Sequence, residues 1–388
     1  MGPSHRFEAM TWRRCCAAAL FACVGVPLLA QEPSLRVSPG VFDMSKTRTL
    51  GLKQLPSEVA VLYKARKDSY QFCHHPNLVR YGKRLLCMWS NGKVGEDEAG
   101  QRILFSASEN GRDWSEPRVL ASDPLERGAC VAAGWVVNGQ QVVAMYTVTG
   151  GTNFDGATAL WARTSSDGKA WSSPQRLVPG FFISAPIPVP GGGLLLAGEH
   201  VGSARTKGRM AMYLTRKKNG LSGWTLAKIP PGDLSVFGYT EPAPFVLANG
   251  RVVSPFRNYS GTLYASHSDD GGKTWSLPLK TNFPDSLARH ATGRLPDGQY
   301  FLINNASSKR LDRSILTLAL SKDGRVFDRA WIVKNAPTTR RFDGKHKLDG
   351  WQYPHAVIFR DFLHVAYSIN KEDVGVARID LQALSARH

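Results

Sequence analysis

What the chain has little of narrows it before anything it contains. In 388 residues there are six cysteines, and Cys15, Cys16 and Cys23 fall within the first 31 positions. The remainder, Cys73, Cys87 and Cys130, are odd in number and lack metal-ligand spacing, which excludes a disulfide scaffold and a zinc module. At most one bridge is available, Cys73 to Cys87 across neighbouring strands. No apolar run beyond residue 30 is long enough to span a bilayer, and helical periodicity is almost absent. No nucleotide fingerprint is found: "PGGGLLL" around Gly191–Gly193 reads as a hairpin turn, not a phosphate cradle opening a helix. The histidines are dispersed, and His74 and His75, as strand neighbours, are expected on opposite faces, so neither metal nor cofactor is expected.

Acidic residues are scarce too. Lys and Arg number 49 against 31 Asp and Glu, a formal charge of +18. The basic residues are scattered without helix-turn-helix or finger spacing, so nucleic acid is not the expected partner. Besides solubility, the charge favours an acidic glycan.

The N-terminus reads as an export signal. Arg13 and Arg14 precede an apolar run from Cys15 to Ala30 that is too short for a membrane span, with cleavage expected after Ala30. "LFAC" is a poor lipobox, so a lipid anchor is the lesser reading. Arg6, Arg13 and Arg14 against Glu8 account for two of the eighteen charges, leaving +16 on the exported chain. The expected organisation is a signal over 1–31, an N-terminal segment with a closing strand over 32–61, and one domain over 62–388. The expected location is secreted or periplasmic, with no integral membrane segment.

What is present is a repeat. "SENGRDW" ends at Trp114, "SSDGKAW" at Trp171, "SDDGGKTW" at Trp275 and "SKDGRVF" at Phe327, with a weak copy, "KNGLSGW", at Trp224. The aromatics are spaced 57, 53, 51 and 52 residues apart. Each period opens on a Pro- or Ala-marked entry ("CHHPNLV", "ISAPIPVP", "YTEPAPFVL", "WQYPHAVIF") and continues in short alternating runs between Gly, Asn and Asp turns, the pattern of hairpins. Six units of about four strands predict an all-β, six-bladed β-propeller. In the repeated turn the Asp accepts backbone N–H groups, Gly supplies positive φ, and the aromatic packs beneath. Its role is structural.

These turns are Asp-boxes, and the chain resembles the sialidase superfamily from about Cys73 to Ile379. "YTEPAPFVLANGRVVSPFRN" looks like the fourth-blade pattern, which points to Glu241 and Arg257. "RSILTLALSKDG" points to Arg313 in the carboxylate clamp, with Arg310 as its rival. "WQYPHAVIF" occupies the place of the sixth-blade tyrosine, Tyr353, and "GEDEAGQRILFSAS" that of the acid/base aspartate, Asp97, with Glu96 and Glu98 as alternatives. The resemblance implies a retaining exo-glycosidase: Tyr353 as nucleophile, Glu241 taking its proton, and Asp97 protonating the leaving oxygen. Arginines would grip the substrate carboxylate.

One departure stands out. Where the family has Arg-Ile-Pro at the first entry, this chain has His74-His75-Pro76, and His74 is expected in place of the first clamp arginine. His75, His290 and His355, the last expected on the face of Tyr353, are further candidates for substrate contact. Several histidines beside Tyr353 would also suit a β-eliminating polysaccharide lyase or a rhamnosidase-like propeller. A glycan-binding propeller without turnover is the third reading.

Overall fold

Short apolar runs flanked by turn residues settle into antiparallel four-stranded sheets, because successive strands are joined by short connections and pair with their neighbours in the chain. The computed structural model describes Gly2 and residues 32–123, 127–152 and 154–385; apart from Gly2, the expected export signal over 1–31 lies outside the described residues. Six sheets follow one another along the chain as blades. Their first strands are Phe72–Tyr81, Cys130–Asn138, Ile187–Pro188, Phe245–Val246, Ala291–Arg294 and Trp351–Phe359. The architecture is the six-bladed β-propeller expected. No helix among the described residues is long and apolar enough to cross a membrane.

A blade is sandwiched between two others, so its middle strands must be apolar on both faces. Arg84–Gly92, for instance, runs "RLLCMWSNG" with every residue after the first buried. The core is accordingly divided into apolar clusters between adjacent blades. Leu316, Leu318 and Leu320 of blade five meet Leu363, Val365 and Tyr367 of blade six, and Met88 and Phe105 of blade one meet Trp135 and Tyr146 of blade two.

The last blade borrows its outer strand. Glu58–Tyr63 pairs antiparallel with Asp373–Asp380, register Glu58 opposite Arg378. Upstream, Arg36–Val37 adds a parallel fifth strand to blade five at Val326–Phe327.

The repeated turns join the third and fourth strands of their blades. In the fullest copy the Asp270 carboxylate accepts the Lys273 and Thr274 N–H groups and the Thr274 hydroxyl, at 2.9, 3.0 and 2.6 Å. The Ser268 hydroxyl accepts the Gly272 N–H at 2.8 Å, and the Trp275 indole N–H donates to the Gly272 carbonyl. All three described cysteines are free and buried. The Cys73–Cys87 bridge considered above does not form, because Cys73 faces Asn91 while Cys87 faces Leu78.

Candidate active site

Three first strands contain one residue more than their pleat can pair, that of blade two between Ala132 and Gly134 and those of blades one and six at the site. His74 lies opposite Ser90 and Asn77 opposite Met88, and Gln352 opposite Ser368 and His355 opposite Ala366. The bulged residues, His75 and Tyr353, take φ of 53° and 54°. Each precedes a proline, which has no N–H to give to a ladder and so suits an unpaired position. Glu241, also before a proline, has φ 39°. Eleven non-glycine residues among those described have left-handed φ, and eight of them line one cavity of about 280 Å³. Asp97, Lys371, Leu287, Leu311 and His346 are the other five. Such conformations cost energy and persist where surrounding structure enforces them, commonly at functional sites.

The cavity lies at the end of the propeller where first strands begin and where second strands hand over to third. At its floor the Tyr353 hydroxyl donates to Glu241 Oε1 at 2.9 Å. Arg257 Nη1 donates to the same hydroxyl at 2.7 Å, and Arg257 Nη2 reaches Glu241 Oε1 at 2.7 Å. Burial holds the Tyr353 phenol well above its ordinary pKa, with Arg257 pulling the other way. The resting group is therefore the neutral phenol. Burial also raises the Glu241 carboxyl, against the charge of Arg257, so this carboxylate is a better base than an exposed one. Arg313 donates to the Leu287 carbonyl at 2.8 Å through Nη2, while its Nε and Nη1 have no partner among the described residues.

Across the cavity, Asp97 is pushed up to about 7, by burial first and then by the charge of Glu96. Glu96 is held by the Lys371 ammonium, and Glu98 turns back to accept the Gly95 N–H at 3.0 Å. Asp97, Glu241, Tyr353, Arg257, Arg313 and His75 thus line one cavity, with Arg310 beside Arg313.

Three histidines depart from expectation. His75, not His74, lines the cavity. The bulge also breaks the alternation that would have separated them: the His74 and His75 rings lie 4.4 Å apart between centroids, and His74 packs 3.8 Å from the Tyr353 ring. With Glu96, the two bring ligand-type atoms within 4.8 Å of one another, a grouping that strand alternation had ruled out. The Lys371 ammonium already pairs with that carboxylate, and Lys371 and Arg289 both act on His75, which burial holds well below its ordinary pKa. So cationic a surrounding disfavours a divalent ion. His290 turns to the Pro255 carbonyl at 3.2 Å and His355 accepts the Leu78 N–H at 3.1 Å; neither lines the cavity. The histidine cluster that would have suited a lyase is reduced there to His75 and the rim residue His346.

Several residues were not anticipated. Lys371 sits in the loop between the second and third strands of blade six, the counterpart of the Asp97 loop in blade one, and counting loops would have found it. Glu199 is fully buried and accepts the Thr240 and Glu241 N–H groups at 2.8 and 3.2 Å. It pairs with Arg205 at 2.7 Å, fixing the turn that aims Glu241. Arg205 in turn lies over the Phe154 ring at 3.7 Å, part of an aromatic wall with Phe181 and Tyr239. Arg289 is buried beneath the site, its Nη2 donating to Asn77 at 2.9 Å.

The model of the BNR repeat-like domain matches residues 83–365. No curated protein sequence matches the chain. Solved structures do. A sialidase superposes with a TM-score of 0.65 at 16% identity, over 90% of this chain and 35% of its own. The sialidase of Trypanosoma rangeli gives 0.66 at 14%, over 85% and 60%. The intramolecular trans-sialidase of Ruminococcus gnavus gives 0.64 at 11%, over 86% and 99%. This chain therefore spans about a third of the first and three fifths of the second. At these identities the likeness is one of fold.

Proposed function

The chain belongs to the BNR repeat-like family of the sialidase superfamily, and from that premise we propose that it is an exported, retaining exo-glycosidase that removes a terminal acidic sugar from glycans. The observation that carries this reading is the 2.9 Å contact between the Tyr353 hydroxyl and Glu241, in a cavity that Asp97 also lines. Tyr353 Oη attacks the anomeric carbon while Glu241 takes the phenolic proton. Arg257, already bonded to that oxygen, stabilises the charge that develops on it. Asp97, half protonated near pH 7, gives its proton to the glycosidic oxygen and the aglycone leaves. Asp97 then takes a proton from water, which displaces tyrosine from the anomeric carbon, and Glu241 returns the proton to Tyr353. Two inversions give retention.

Arg313, with two donors unpartnered among the described residues, would hold the acidic group of the sugar, helped by Lys371 and by His75, which lines the cavity beside His74. The test is a panel of sialosides, uronides and sulfated glycans, with wild type beside Tyr353→Phe. Turnover of one acidic glycoside with retained anomeric configuration is expected, falling roughly a thousandfold or more in the variant. Unchanged turnover in Tyr353→Phe would overturn the mechanism, and a product absorbing in the ultraviolet would mark a lyase instead.

A further inference from the structure

The repeat supplies its own internal comparison. Four of the five turns keep an Asp or Asn that accepts backbone N–H groups: Asn110, Asp167, Asp270 and Asp323. In the blade-three turn Asn219 accepts only one, from Leu221 at 3.3 Å. There Thr215 Oγ1 accepts the Lys217 N–H at 3.0 Å and Trp224 donates to the Gly220 carbonyl at 3.0 Å, so the turn closes without an acid. Just before Asn219 stand Arg216, Lys217 and Lys218, three consecutive exposed cations. Nothing in the turn's hydrogen bonding calls for them.

Arg216 and Lys217 border a cavity of about 800 Å³, larger than the catalytic one, between blades three and four. Its walls are the turns linking first to second strands (Val189–Gly193, Asn249–Gly250) and third to fourth strands (Leu214–Thr225, Asp269–Lys273). In an up-and-down sheet both sets lie at the end opposite the catalytic cavity. Arg216, Lys217 and Lys273 line it and make no side-chain hydrogen bond or ion pair among the described residues. The two lining acids are already engaged. Asp269 is held bidentately by Arg251 at 2.6 and 3.0 Å, and Asp270 by its own turn.

From this geometry we infer that the groove between blades three and four is a second binding site, for a stretch of acidic polysaccharide, on the face opposite the catalytic cavity. Unpaired cations meet carboxylate or sulfate groups, while the bare backbone of Gly191–Gly193 and the Thr225 and Asn249 side chains offer hydrogen bonds to sugar hydroxyls. No aromatic residue lines the groove, so it lacks the stacking platform that single-stranded nucleic acid requires. The site requires no catalysis, and its test is separable from that of the glycosidase reading.

Binding of the full chain to chondroitin sulfate and to polygalacturonate would be measured by calorimetry for wild type, Tyr353→Phe, and the triple variant Arg216→Ala, Lys217→Ala, Lys273→Ala. A second triple variant, Lys64→Ala, Arg66→Ala, Lys67→Ala, removes the same charge elsewhere on the exposed surface. The groove variant is expected to bind at least one of the two polymers about tenfold more weakly, at unchanged melting temperature. The second triple variant and Tyr353→Phe should bind like wild type. The proposal fails if neither polymer binds, if the two triple variants weaken binding equally, or if single-stranded DNA of matched charge binds as tightly as the polysaccharides.

Discussion

Asp97 shows how burial and a neighbouring charge set the protonation state of a single carboxyl. Buried and beside Glu96, it is held near pH 7 and is protonated below that value, the form a general acid needs. Activity should therefore decline as pH rises through about 7. Glu96→Gln removes the like charge and also frees Lys371, whose charge lowers the Asp97 pKa. Both effects move the alkaline limb of the kcat/KM profile to lower pH, and a limb that stays put would remove Asp97 as its origin. The residue types here were legible in the sequence, since Tyr353, Glu241, Arg257 and Arg313 share one site. What could not be read was which histidine faces the cavity. That depends on one extra residue in the first strand of blade one, and a bulge leaves hydrophobic alternation on either side of it undisturbed.

At the scale of the element, the Asp-box turns and the strand entries divide the work. The turns hold third to fourth strands at one end, and the entries present chemistry at the other. Asp323 accepts the Arg325 and Val326 N–H groups at 2.8 and 2.9 Å and the Ser321 hydroxyl at 2.9 Å. Asp323→Ala should cost about 1–2 kcal/mol of stability, seen as a lower denaturation midpoint, and leave turnover at saturating substrate unchanged. A matching loss of kcat in the still-folded protein would contradict the purely structural role given to these turns. The turns were readable because their pattern is local: a hydroxyl, an acceptor two residues on, a glycine and an aromatic. Glu199 was not, since no local pattern marks a side chain that reaches under the entry of the next blade, and Lys371 was marked only by the place of its loop in the repeat.

Across the whole molecule, closure rests on one strand. Glu58–Tyr63 is the outer strand of a blade otherwise built from residues more than 280 positions later. A chain beginning at Lys64 would leave the Asp373–Asp380 edge unpaired and break the ring of interblade clusters. Loss of the cooperative thermal transition, with aggregation, is the expected outcome; an unchanged transition would show that the ring holds without it.

The left-handed residues around the cavity have a consequence for how much change the protein can absorb. At about 1 kcal/mol for each side chain held there, eight such positions amount to roughly 8 kcal/mol, comparable with the whole net stability of a typical domain. The blades must supply that surplus before the molecule folds at all. A lineage freed from its substrate would be expected to drift to glycine or asparagine at these positions and grow sturdier. One that keeps His75, Glu241 and Tyr353 twisted leaves itself less room for substitutions in the blades.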